Sequence, residues 1–158
     1  MKYKIPVSQP LINQPAALRY LQKAIRTGWI SSQGPYVAKF EHAFAQFIGS
    51  KYAVSCTSGT AALHLTLAAL DIGLGDEVII PSLTMIATAL PIIYQSATPV
   101  LVDSEPHTGN INVSKIAAKI TSRTRAIIPV HLYGQPVAMK PLLSIARQHK
   151  LWVIEDAA

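Results

Sequence analysis

The chain has 158 residues, of which 50% are hydrophobic and 14% charged, a balance that excludes a disordered polypeptide and suffices for one domain with one sizeable core. Its net charge of +6 comes from lysines and arginines scattered singly or in pairs, without a basic block or a nucleic-acid-binding motif, so no nucleic-acid partner is expected. No apolar run reaches the roughly 18 residues of a membrane span, and the opening MKYKIPVSQPL lacks the apolar core of a signal peptide, so the expectations are no membrane partner and a cytoplasmic location.

Cys56 is the single cysteine, which removes any intrachain disulfide or cysteine metal cluster; it reads as a small buried residue closing a strand. The histidines His42, His64, His107, His131 and His149 are dispersed without ligand spacing, so no metal is expected.

Residues 1 to 12 read as extended. Asn13 and Pro15 then start a helix that Gly28 stops, with Leu18, Leu21 and Ile25 as its apolar stripe. After the loop GWISSQGPYV, Pro35 opens a second helix ended by Gly49, in which Val37, Phe40, Phe44 and Phe47 recur at helical spacing and read as core. Tyr52 to Cys56 reads as a strand, Thr57 to Thr60 as a turn, and Ala61 to Leu70 as an apolar helix. A Gly/Asp turn leads to a strand at Glu77 to Ile80. Pro81 and Ser82 end it, and a helical segment from about Thr84 is interrupted by Pro91. The remaining expectations are a strand at Thr98 to Val102, a helix capped by Asn112 and running to Ile120, and a strand at Arg125 to Val130. A helix at Lys140 to His149 and a strand at Leu151 to Ile154 complete the chain. Such alternation predicts an α/β fold, a mainly parallel sheet flanked by helices, with ligands beyond the carboxyl ends of the strands.

The turn TSGT is where chemistry is first expected. The first amides of a helix lack intrahelical acceptors and sit at the positive end of its dipole, Gly59 permits close approach, and Ser58 and Thr60 add hydroxyls; together they suit a phosphate, although ordinary helix capping explains the same residues. At the far end of the chain Glu155 and Asp156 follow an apolar strand, and strand alternation sends them to opposite faces, so at most one addresses a site. A carboxylate beside an aromatic nitrogen favours the protonated nitrogen, which on a pyridoxal ring makes an electron sink.

The segments TGWISSQGPYVAKFEHAFAQFIG, TSGTAALHLTL, GDEVIIPSLTMIATA, ATPVLVD, VHLYGQPV and VIEDAA, in that order, resemble the N-terminal part of the DegT/DnrJ/EryC1/StrS family of pyridoxal-phosphate-dependent sugar-nucleotide aminotransferases, with a flavour similar to perosamine synthases. The resemblance implies the large-domain portion of a fold-type-I aminotransferase, C-terminally truncated: one partial domain over 1–158 with a helical arm over about 1–50, the small C-terminal domain being absent. It implies pyridoxal 5'-phosphate as cofactor, a nucleotide-linked keto sugar and an amino-acid donor such as glutamate as substrates, and a homodimer when intact. By the same resemblance Ser58, Gly59 and Thr60 hold the cofactor phosphate and Asp156 pairs with the pyridine nitrogen. Met85 falls where many members place Phe or Trp against the ring. The loops around Trp29 and Ser31 and around His131 and Tyr133 resemble segments near the sugar-nucleotide site.

Two departures stand out. Leu90 and Pro91 replace an Asn and a small residue, and the family's Schiff-base lysine lies downstream of Ala158, so no catalytic residue is expected in the chain and turnover by these 158 residues alone is expected to be negligible. Lys115, Lys119, Lys140 and Lys150 read as solvated amines on or beside surface helices. Alternatives are a dehydratase of the same superfamily and a non-catalytic remnant that binds a ligand or partner. Apolar helix faces and a strand edge are expected to lie uncovered.

Overall fold

A computed structural model describes residues 9–158; the stretch 1–8, read as extended, lies outside the described residues. The chain divides into two compact units, Met1–Ser55 and Cys56–Ala158.

In the first unit, helix α1 (Gln14–Arg26) starts where Asn13 accepts the Ala16 amide at 3.2 Å, with proline in its first turn. Helix α2 (Pro35–Ile48) begins on proline and ends on left-handed Gly49, φ 70°. Both helices form as the spacing predicts, but the aromatic stripe is not core. Phe40, Phe44 and Phe47 are 57%, 44% and 87% exposed, and Ala45 is the one buried residue of α2. Two helices this short enclose too little volume to cover their own apolar faces. The expected strand at Tyr52 to Cys56 also fails to form. Its residues have no ladder partner among the described residues, Tyr52 and Val54 are largely exposed, and Cys56 is exposed rather than buried. The backbone is held there by side chains instead: the Ser55 amide and hydroxyl both donate to the Glu41 carboxylate, at 2.8 and 2.9 Å, and these bonds draw that carboxyl below its usual range.

The second unit contains helix α3 (Gly59–Ala69) and then strand β1 (Glu77–Pro81), helix α4 (Ile86–Tyr94) and strand β2 (Thr98–Val102). Strand β3 (Thr124–Ile127), helix α5 (Met139–His149) and strand β4 (Trp152–Val153) follow. The strands form one parallel sheet of order β2-β1-β3-β4. It has four strands where the sequence suggested five, with β3 and β4 shorter than expected. The central strand β1 is buried throughout, as its unbroken apolar run requires of a strand covered on both faces. Alternation divides its side chains. Val78 and Ile80 join Leu63, Leu67, Ile92 and Ile128 on the face covered by α3 and α4, whereas Ile79 joins Ile116, Ile127, Leu142 and Ala146 on the face covered by α5. Each fully buried aliphatic side chain contributes about 1.5–3 kcal/mol, so this double layer is what fixes the sheet.

Pro91 does not interrupt α4, which continues to Tyr94; proline removes one amide donor, and the buried ring packs with the helix rather than breaking it. The helix expected from Asn112 to Ile120 is replaced by two short 3₁₀ turns, Val113–Lys115 and Ala117–Lys119. Asn112 does cap, accepting the Ser114 amide at 3.2 Å, but Val113, Ile116 and Ile120 all turn into the second cluster, which the tighter coil permits.

The amino ends of the strands are tied by charge. Glu77, 5% exposed, accepts from the Thr121 hydroxyl and from Arg123 Nε at 2.9 Å, and these bonds hold its carboxyl below the usual range. Asp76, likewise held low, accepts from the Gly73 amide at 3.1 Å and Arg125 Nε at 2.8 Å. The opposite, carboxyl ends of the strands are left to open onto a cleft.

Candidate functional site

Four segments meet there: the start of α3, the loop from β1 into α4, the loop after β3, and the residues that follow β4. They enclose about 480 Å³, lined by Gly59, Thr60, Thr84, Met85, His131, Tyr133 and Asp156 among others.

At the start of α3, Ser58 is extended (φ −161°, ψ 162°) and its Oγ accepts the Ala61 amide at 3.2 Å, while its carbonyl accepts from Ala62. Ser58 is thus a working N-cap. It leaves the amides of Gly59 and Thr60 without an acceptor among the described residues, at the positive end of an 11-residue helix. A Cβ added at Gly59 would lie 3.4 Å from the Ala158 methyl, so the start of α3 faces the segment after β4 across a gap that one methyl group would fill.

Asp156 is held by backbone on both sides, in a parallel bridge with Val130: its amide donates to the Pro129 carbonyl at 2.9 Å and its carbonyl accepts from the His131 amide at 3.0 Å. Its carboxylate accepts from Thr88 Oγ1 at 2.9 Å and from the Ala158 amide at 3.1 Å. The preceding Glu155 does not line the cleft, as strand alternation requires, and meets His131 Nε2 at 2.9 Å. His131 Nδ1 accepts the Val137 amide at 3.2 Å, so the ring proton resides on Nε2 and is donated to Glu155. Met85 precedes α4 and is 73% exposed at the cleft, with its thioether free to lie on a planar ligand. Tyr133, 92% exposed, adopts the left-handed region at φ 52°, a conformation that an L residue keeps only when its surroundings impose it.

The structure therefore brings Gly59, Thr60, Met85, His131, Tyr133 and Asp156 to one cleft with Ser58 as the cap behind it. Trp29 and Ser31 lie in the first unit, where with Tyr20, Leu21, Tyr36 and Phe40 they line a groove of about 610 Å³. Sequence reasoning missed two residues. Thr88, fully buried, is the single short polar side chain in the apolar run IATALPIIY, a signal that was present. Asn110, 1% exposed, accepts the Leu132 amide at 3.1 Å and donates to the Gln135 carbonyl at 2.9 Å, fastening the loop that carries Tyr133; nothing in SEPHTGN marks it as buried. No lysine lines the cleft, and Lys115 is paired with Asp103 at 2.7 Å.

The profile of the DegT/DnrJ/EryC1/StrS aminotransferase family matches residues 12–158. The chain belongs to this family. It is 55% identical over 139 residues to GDP-perosamine synthase of Caulobacter vibrioides, covering 88% of this chain and 38% of that one. It is 47% identical over 158 residues to GDP-perosamine synthase of Escherichia coli O157:H7, covering 100% and 43%. Among solved structures, NtdA of Bacillus subtilis with bound cofactor PMP superposes with a TM-score of 0.87 at 34% identity, over 99% of this chain and 38% of that one. The chain thus spans about two fifths of the length of the DegT/DnrJ/EryC1/StrS relatives it matches. Its four-stranded parallel sheet is the α/β large-domain portion of that fold.

A pyridoxal-type cofactor fits the residues present. It needs an anion seat and a carboxylate in one cleft, and the unpartnered amides of Gly59 and Thr60 and the carboxylate of Asp156 supply both.

Proposed function

We propose that this chain forms the cofactor-binding part of an aminotransferase that moves an amino group from an amino acid such as glutamate to a keto sugar linked to a nucleotide, in the manner of the perosamine synthases. The observation that carries the reading is the convergence of the Gly59 and Thr60 amides and the Asp156 carboxylate in one cleft. When bound, pyridoxal phosphate supplies an electron sink for the charge that develops at the donor's Cα.

The chain's own residues have distinct tasks in this reading. Gly59 and Thr60 hold the phosphate through helix-start amides, with Ser58 keeping that helix end formed. Asp156 holds a proton on the ring nitrogen. Met85 lies on the ring face, and His131 and Tyr133 approach the sugar nucleotide from the loop after β3. The amine that would form the covalent link to the cofactor is not among the residues lining the cleft. A cytoplasmic homodimer completes the reading.

The test has two parts. Pyridoxamine 5'-phosphate titrated into the chain should bind saturably. The full-length protein that carries this stretch should release 2-oxoglutarate from glutamate only when a keto-sugar nucleotide is supplied. Absence of saturable binding overturns the cofactor reading, and acceptor-independent release overturns the sugar reading.

A further inference from the structure

Threonines in helices usually satisfy their hydroxyls locally, on the carbonyl four residues back. Thr66 in α3 does so, donating to the Ala62 carbonyl at 2.8 Å. Thr88 in α4 does not. Fully buried, it reaches across 68 residues of sequence to Asp156 Oδ2 at 2.9 Å, and it lies 2.8 Å from Thr84 Oγ1.

Counting protons fixes the direction of this chain of hydroxyls. An ionised carboxylate only accepts, so the single Thr88 proton is spent on Asp156. The contact between the threonines then needs the Thr84 proton, and Thr84, which lines the cleft, presents lone pairs alone to whatever binds there. The second Asp156 oxygen takes the Ala158 amide at 3.1 Å. Donors on both oxygens set the plane of the carboxylate, and each oxygen keeps a further lone pair for a ligand. The backbone bridge to Val130 fixes where Asp156 starts; Thr88 fixes where its carboxylate ends.

We propose that Thr88 is a positioning residue, whose buried hydroxyl holds the Asp156 carboxylate as a cleft-facing acceptor and thereby sets the protonation of an aromatic ring nitrogen bound against it. This rests on the cofactor reading above and goes beyond it, because Thr88 is fully buried and is not among the residues that line the cleft. A hydroxyl that merely fills a buried site would alter stability and leave the ring nitrogen as it was.

The test uses pyridoxamine 5'-phosphate labelled with ¹⁵N in the ring, bound to the chain, with the nitrogen shift reporting pyridine or pyridinium. Thr88→Val removes the O–H and keeps the shape, Thr88→Ser keeps the O–H and drops the methyl, and Thr88→Ala removes both. The pyridinium shift should persist in the wild type and in Thr88→Ser. It should be lost or reduced in Thr88→Val and Thr88→Ala, with affinity lower by about tenfold in these two, the scale of one hydrogen bond to a charged group. If Thr88→Val fails to fold, the Ser and Ala pair decides the question. Pyridinium retained in the variants lacking the hydroxyl, or lost equally in Thr88→Ser, overturns the proposal while the cofactor reading stands. No binding by the wild type overturns the cofactor reading and this proposal with it.

Discussion

The side chain of Asn110 bridges Leu132 and Gln135, accepting from the amide of the first and donating to the carbonyl of the second from a fully buried position. Between those two anchors Tyr133 is held at φ 52°. The hairpin that delivers Asn110 is closed by its own bonds, the Glu105 amide to the Asn110 carbonyl at 2.8 Å and the Thr108 hydroxyl to Glu105 at 2.8 Å. At its tip Gly109 is left-handed, and a Cβ there would come within 3.0 Å of Leu132. A buried amide thus holds an exposed, strained residue at the cleft.

Replacing Asn110 by Ala takes the side-chain partner from the Leu132 amide and the Gln135 carbonyl and opens a void at a buried position, so stability should fall by about 1–3 kcal/mol. Asn110→Asp keeps the acceptor but sets a carboxylate against the Gln135 carbonyl and should be no better tolerated. Urea unfolding measures the loss, and amide exchange at Leu132 should accelerate more than at Ile128 in the neighbouring core. Equal acceleration at both would show that Asn110 stabilises the unit globally without fastening the loop.

Ser58 and Gly59 are adjacent but should separate cleanly. Ser58→Ala removes the cap bond to Ala61 and should cost about 1 kcal/mol of stability. Gly59→Val adds branched methyls beside Ala158, which a single Cβ would already meet at 3.4 Å, and should weaken pyridoxamine 5'-phosphate binding at least tenfold, as expected when a buried anion loses its amide donors, with a smaller effect on unfolding. Parallel titration and denaturation of the two variants check this. An unchanged affinity in Gly59→Val would remove the phosphate from the start of α3.

The parts of the site that were legible in the sequence are those fixed by local chemistry. The cap at Ser58, the alternation that separates Glu155 from Asp156, and the apolar run of β1 each follow from a few neighbouring residues. What escaped depends on contacts distant in sequence. Tyr52 to Cys56 has a strand's composition, but a strand also needs a partner, and composition does not report one. The Phe40, Phe44 and Phe47 stripe has helical spacing, but spacing says which residues share a face, not whether anything covers it. Thr88 and Asn110 act over 68 and 22 or more residues, beyond any local pattern.

Acid should loosen the amino ends of the strands. Glu77 is held below the usual carboxylate range by Thr121 and Arg123, and Asp76 by Gly73 and Arg125. Above the ordinary carboxyl range of about 4 both are ionised whether the chain is folded or not, and their bonds contribute in full. As pH falls below that range the unfolded chain takes up protons first, so the contribution shrinks, and it is gone once pH passes below the depressed folded values. Glu77→Gln should flatten this acid slope and cost about 1–2 kcal/mol at neutral pH, from the loss of charge-assisted bonds to a largely exposed arginine. Denaturation between pH 7 and pH 3 measures both; a slope identical to that of the wild type would assign the acid sensitivity to other carboxylates.

Met85 offers the sharpest test of how the ring is held. It is 73% exposed and belongs to neither buried core cluster, so changes there should reach the ligand without passing through the fold. A thioether covers part of a planar ring; a phenyl group covers more and adds offset stacking worth about 0.5–1.5 kcal/mol. Met85→Phe should therefore tighten pyridoxamine 5'-phosphate binding by roughly two- to tenfold, and Met85→Ala should weaken it by a comparable factor, both at unchanged unfolding midpoints. Titration of the ligand against each variant, with its intrinsic absorbance as the signal, gives the ordering Phe, Met, Ala directly. An affinity indifferent to residue 85 would mean that the ring lies elsewhere in the cleft, leaving Asp156 and Gly59 to be explained by a different ligand.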